Sequence, residues 1–176
     1  MPTLKPFRDY DEHEVINLFG YSGSYPTNRG TFVKVAVGWN NDLEIRTMGA
    51  FGGASYPHTI SDRYGVPAWV TACSSGDASI GVTLYDAKEV DENGELLKYN
   101  QSKADALRAV ISGQAMPVLK RGMILYSGVY GSPVGGTTLY TWNNGELSTT
   151  GASTHAVGKA LGPKDSKGYV LINVDL

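Results

Sequence analysis

Thr31-Phe32-Val33-Lys34-Val35-Ala36-Val37 alternates threonine and valine with other residues at a period of two, the pattern of a β-strand with one buried face. The reading puts the three valines on that face. Outward from this stretch the same signal recurs. Pro67-Ala68-Trp69-Val70-Thr71-Ala72-Cys73 and Ile80-Gly81-Val82-Thr83-Leu84-Tyr85 read as strands, as do residues 115–119, 123–127, 137–142, 147–149 and 169–176. In the last of these Val170, Ile172, Val174 and Leu176 share one face, which places the segment inside a sheet. Asn93-Gly94 and Asn143-Asn144-Gly145 are hairpin signals, because both central positions of a type I′ turn need positive φ. One short helix is expected, from Ser102 as N-cap to Leu107, and Val110-Ile111-Ser112 beyond it reads as strand.

The 176 residues suffice for one domain with a hydrophobic core. Twenty-two glycines and eight prolines, spread along the chain, punctuate many short segments and argue against long helices. Glycine inside the strand pattern, as at Gly81 and Gly158, marks bulges or bends that curl a sheet into a small barrel. A net charge of −2 with no run of Lys or Arg disfavours nucleic acid as a partner. No apolar stretch approaches membrane-spanning length or signal-peptide form, so no membrane partner and synthesis in a cytoplasm are expected.

Chemistry-bearing residues are sparse. Cys73, the only cysteine, ends an apolar strand and reads as a buried, inert thiol. His13, His58 and His155 lie in segments without a flanking catalytic motif. Residues 89–94 resemble half of a calcium loop, but the position for the bidentate Glu is Asn100, and a hairpin turn explains them better. Gly158-Lys159-Ala160 lacks the hydroxyl and the earlier glycine of a phosphate loop. The expectation is a non-enzymatic chain with no catalytic residues, no metal and no cofactor.

What remains is aromatic: eleven Tyr, three Trp and four Phe, set among glycine and serine, which is interface chemistry. Residues 1–28 read as an extended N-terminal arm, broken by Pro2, Pro6 and Pro26, yet too apolar to stay in water. Such an arm folds back over its own domain, residues 29–176, or packs on a neighbouring subunit. Residues 47–65, glycine-rich and aromatic, read as a long ordered loop. The candidate interface residues are Phe7, Tyr10, Val15, Ile16, Leu18, Phe19 and Tyr21 of the arm with Phe51, Tyr56, His58 and Tyr64 of the loop.

Five motifs then stand in a telling order: Arg29-Gly30-Thr31-Phe32-Val33-Lys34-Val35; Ser79-Ile80-Gly81-Val82-Thr83-Leu84; Gly113-Gln114-Ala115-Met116-Pro117-Val118-Leu119-Lys120-Arg121-Gly122; His155-Ala156-Val157-Gly158-Lys159-Ala160-Leu161; and Lys167-Gly168-Tyr169-Val170-Leu171-Ile172. In that order they resemble tailed-phage capsid decoration (cement) proteins. The resemblance implies a mainly β fold, a compact antiparallel β-barrel or β-tulip-like domain. It also implies a homotrimer on the outer capsid surface of the virion, with the major capsid protein as partner. Other virion components, such as a head fibre or a tail protein domain, share short strands and loop aromatics. A carbohydrate-binding module would need Trp39, Trp69 and Trp142 as an exposed platform.

Overall fold

The computed structural model describes residues 2–6, 8–23, 25–37, 68–151 and 155–176, and the fold is mainly β. The strands are β1 (Leu4–Pro6), β2 (Val15–Tyr21), β3 (Phe32–Val37), β4 (Ala68–Ala72), β5 (Gly81–Thr83), β6 (Asp86–Ala87), β7 (Ala109–Val110), β8 (Ala115–Leu119), β9 (Arg121–Tyr126), β10 (Val129–Tyr130), β11 (Thr138–Thr141), β12 (Leu147–Ser148), β13 (Ala156–Ala160) and β14 (Val170–Asp175). Five of them close a barrel in the order β2-β4-β3-β5-β8, with β2 and β4 parallel and the other ladders antiparallel. Seven others form a sheet in the order β1-β9-β14-β13-β11-β12-β10.

That sheet has to curl. β9 and β10 stand five ladder steps apart, roughly 24 Å at the usual strand spacing. Only Ser127 and Gly128 join Tyr126 to Val129, and such a link spans at most about 11 Å. The sheet therefore rolls until these strand ends meet. The Tyr126 hydroxyl, on β9, accordingly donates to the Gly145 carbonyl between β11 and β12 at 3.1 Å.

Two cores follow from this geometry. The barrel interior holds Tyr21, Val33, Val70, Met116 and Val118. The second core combines Leu4, Ile124, Tyr126, Leu139, Leu147, Ile172 and Val174 of the sheet with Phe32, Cys73, Val82 and Leu119 of the barrel. Neighbouring residues on one strand serve different cores: Phe32 and Leu119 face the sheet, Val33 and Val118 the barrel interior. This corrects the one-buried-face reading of residues 31–37. Phe32 and Val33 are both fully buried, while Val35 is 41% exposed where the β3–β4 ladder shifts register.

Within residues 1–28, β1 pairs with β9 and β2 is a stave of the barrel, so the described part of this segment is woven into its own fold. Pro6 is accommodated because β1 is an edge strand, where a missing N–H disrupts no ladder. Leu4 and Tyr21 are buried in the two cores, and Val15 and Phe19 pack against them.

Turn chemistry accounts for the remaining connections. Asn144 and Gly145 sit at φ 57° and 72°, and the Glu146 N–H donates to the Asn143 carbonyl, which gives the expected turn between β11 and β12. At Asn93-Gly94 only the glycine is at positive φ, so the bend is a type I turn closed by a glycine bulge. Helix α1 spans Gln101–Ala106 and is capped by Asn100, whose side chain accepts from the Lys103 N–H, in place of Ser102. β14 lies between β9 and β13, and Val170, Ile172 and Val174 are fully buried, as their spacing predicts. Leu176, just past the strand, is 39% exposed. A Cβ added at Gly158 would stand 2.1 Å from the Asn173 carbonyl oxygen, opposite a register shift in β11, so this glycine permits close strand approach at a bend.

Candidate functional site

The interface residues expected in the first segment have mostly been spent on the fold. The Tyr10 hydroxyl donates to the Met123 carbonyl at 2.7 Å, and its ring would meet any side chain at Gly122. Val15 packs against the core shared by barrel and sheet, and Phe19 against the barrel core that contains Tyr21. Tyr21 is 3% exposed and donates to Thr27 Oγ1, so it offers nothing to a partner. Ile16 is half-buried, and Leu18 is exposed. Phe7 and the loop residues Phe51, Tyr56, His58 and Tyr64 lie outside the described residues.

Cys73 is buried, and burial pushes its thiol up to about 12, which leaves it protonated and inert at neutral pH. Among the described residues no group of three or more His, Cys, Asp or Glu is arranged to hold a metal ion. A cleft of about 720 Å³ lies between the start of the chain, the barrel end and the β11–β12 turn, with Ser22, Asn28, Thr71, Asn144 and Glu146 in its lining. Among the described residues of its lining there is no basic side chain. The two described tryptophans do not form a common platform. The Trp69 ring lies against Gly20 on the barrel, and Trp142 stacks on Tyr130 beside the sheet. Trp39 lies outside the described residues.

The exposed apolar side chains are the more informative feature. Val90 and Leu96 face each other across an antiparallel bridge, 43% and 41% exposed. A 3₁₀ turn over Leu97–Tyr99 follows directly on Leu96 and ends on Tyr99, with the Lys98 ammonium 4.9 Å from the Tyr99 ring centroid. Tyr99 is 78% exposed. These three residues form an apolar knuckle on a lobe outside both main cores.

The knuckle is rigidly backed. Asp91 accepts from the Asn93 N–H at 2.7 Å and the Glu95 N–H at 2.9 Å, and also from the Lys103 ammonium of α1. Lys103 also reaches Glu92 at 3.3 Å. Beneath it Leu97, Ala104, Ala109 and Ile111 make a small core of their own. The residues that looked like half of a calcium loop thus spend Asp91 on a turn and an ion pair, while Glu89 accepts from the Ser112 N–H at 3.0 Å.

The Lys103 hydrogen bond, with the two backbone N–H groups, holds the Asp91 carboxyl below the usual carboxylate range. A depressed folded value means that this contribution to stability is complete above the unfolded value, about 3.9, and is lost as pH falls through the folded one. Thermal midpoints of the wild type and of Asp91→Asn, measured from neutral pH down to about pH 3, should therefore converge at the acid end. A gap that stays constant over that range would contradict the assignment.

Sequence reading found the turn at Asn93-Gly94 but not the knuckle, because Val90 and Leu96 carry the apolar signal of core residues. The usable signal was local: Val90 is flanked by charged residues in Lys88-Glu89-Val90-Asp91-Glu92, and Leu96 follows Glu95. No family model matches the chain, and no curated protein or solved structure matches it either.

Proposed function

We propose that this chain is a structural decoration protein that binds the outer surface of an assembled phage capsid, with the major capsid protein as its partner, and stabilises the shell. The observation that carries the reading is the Val90, Leu96 and Tyr99 knuckle, an exposed apolar projection held on a rigid base. Exposed tyrosine beside aliphatic groups is typical of protein-binding anchors. The ordered motifs of the sequence supply the capsid as the protein bound.

The mechanism needs no bond chemistry. A ligand that binds the assembled lattice and not the free subunit adds its binding free energy to the resistance of the shell against expansion or disassembly. Binding at many lattice sites multiplies the effect. A pre-formed knuckle suits this role, because a rigid anchor loses little conformational entropy on docking.

The test is sedimentation with shells that lack the protein. Wild-type protein should pellet with them, and the Val90→Asp, Tyr99→Asp double variant should bind at least about ten-fold more weakly while keeping its thermal midpoint. Equal pelleting of the two proteins would remove the knuckle from the account. Failure of the wild type to pellet would overturn the capsid reading itself.

A further inference from the structure

A second cleft, of about 340 Å³, is lined by Asn17 of β2, Tyr85, Gln101 and Asp105 of α1, Gln114, and Pro117 of β8 among others. Small-molecule pockets usually span roughly 300–1,000 Å³. Local structure equips this one with polar groups. On β2, Asn17 and Leu18 together stand opposite Pro117, between the pairs Ile16–Val118 and Phe19–Met116. Pro117 has no N–H to give the ladder, and a bulge of this kind re-aims a side chain out of the regular alternation. Gln101 and Asp105 lie one turn apart on α1, and the Gln101 amide nitrogen donates to Asp105 Oδ1 at 3.2 Å. That bond leaves Gln101 Oε1 and the second Asp105 oxygen as acceptors. Gln114 is held the other way round: its Oε1 accepts from the Ile111 N–H at 3.2 Å, so its free end is the amide nitrogen, a donor. Tyr85 packs against the barrel core and, with Pro117, supplies an apolar wall.

This donor and acceptor set selects a class of ligand. An anion finds no basic side chain among the described residues of the lining. A metal ion finds one carboxylate, and among the described residues no group of three or more His, Cys, Asp or Glu is arranged to hold one. An ammonium ion could use Asp105 but leaves the Gln114 donor without an acceptor. An extended peptide both donates and accepts, but it docks along a sheet edge, and β2 and β8 are staves of a closed barrel. Hydroxyl groups set around a compact ring with apolar C–H faces satisfy the donor, the acceptors and the wall together. We infer that this cleft binds a neutral pyranose sugar, with Asn17, Gln101, Asp105 and Gln114 on its hydroxyls and Tyr85 and Pro117 against its ring. The inference does not depend on what the knuckle binds.

The test uses the full chain labelled at nitrogen for magnetic resonance. Glucose, galactose, mannose and N-acetylglucosamine are each titrated into the millimolar range. At least one should give saturable shifts of the side-chain amide resonances of Asn17, Gln101 and Gln114, and glycerol at equal hydroxyl concentration should not. Two near-isosteric variants then test the polarity of the site. Asp105→Asn can still accept from Gln101, and Gln114→Glu can still accept from the Ile111 N–H, but the first turns a free acceptor into a donor and the second a free donor into an acceptor. Each should bind the responsive sugar at least about ten-fold more weakly at an unchanged thermal midpoint. The inference is overturned if none of the four sugars gives saturable shifts, if either variant binds like the wild type, or if glycerol saturates the same resonances. Saturation by methylammonium chloride and not by the sugars would make this a cation site, and equally overturns it.

Discussion

Tyr126→Ala is expected to lower the unfolding free energy by about 3–5 kcal/mol, the usual cost of deleting a buried aromatic ring. Tyr126 is fully buried where the curled sheet meets the barrel, and its ring stands edge-on to Phe32 of β3 at 5.4 Å and 85°. Its hydroxyl donates to the Gly145 carbonyl, and the Gly145 N–H donates to the Cys73 carbonyl at 2.8 Å. The side chain thus links β9, the β11–β12 turn and the strands of the barrel. Burial holds its phenol well above the ordinary tyrosine range, so the group stays a hydrogen-bond donor at any working pH. Tyr126→Phe separates the two contributions: it keeps the ring and leaves the Gly145 carbonyl short of a partner, at about 1–3 kcal/mol. Urea denaturation followed by both tryptophan fluorescence and circular dichroism measures these losses. Because Phe32, Cys73, Val82 and Leu119 of the barrel share a core with the sheet, both probes should report one transition, at lower denaturant in the Ala variant. An unchanged midpoint would mean that the shared core is not where the stability resides.

The second large effect concerns the first 28 residues. Removing them is expected to leave no cooperatively folded protein, because the deletion takes out β1 and β2 together. Loss of β2 opens the barrel between β4 and β8 and strips the interior of Tyr21. Loss of β1 uncovers an edge of β9 and removes Leu4, which is 1% exposed. It also removes the Thr3 contacts to Ser127 and Tyr169. Leu4 alone, cut back to alanine, should cost about 2–5 kcal/mol, and total stabilities are of the order of 5–15 kcal/mol. Near-ultraviolet circular dichroism of the truncated chain should show lost tertiary packing. A truncated protein with native spectra and a sharp thermal transition would restore the picture of a separable arm. Binding experiments are therefore better made with surface substitutions than with this deletion.

The contrast shows what the sequence could and could not disclose. Where alternation is unbroken and one face is buried, as at Val170, Ile172 and Val174, the residues state their strand directly. Asn144-Gly145 likewise announces its turn, because few other pairs adopt positive φ twice in succession. β2 is hidden for a specific reason. Its ladder to β8 shifts register between Ile16 and Phe19, so Val15-Ile16-Asn17-Leu18-Phe19-Gly20-Tyr21 never shows a clean period of two. β3 misleads in the opposite way, since Phe32 and Val33 are buried in different cores and no single-face rule describes them. The curl of the sheet is a long-range property, fixed by which strands pair and not by any local pattern.

The candidate surfaces were less legible still. Aromatic content pointed to residues 1–28, yet Tyr10, Phe19 and Tyr21 have a use within the fold, whereas nothing in the sequence singled out Val90 and Leu96. Exposure depends on what lies opposite a residue in space, and sequence period reports only which side it takes.

The central proposal, that the chain decorates an assembled phage capsid, is tested most directly by quantifying the protein in purified virions. The account predicts that it co-purifies with intact particles in near-stoichiometric ratio to the major capsid protein and is released when the shells are dissociated. Virions free of the protein would contradict the account.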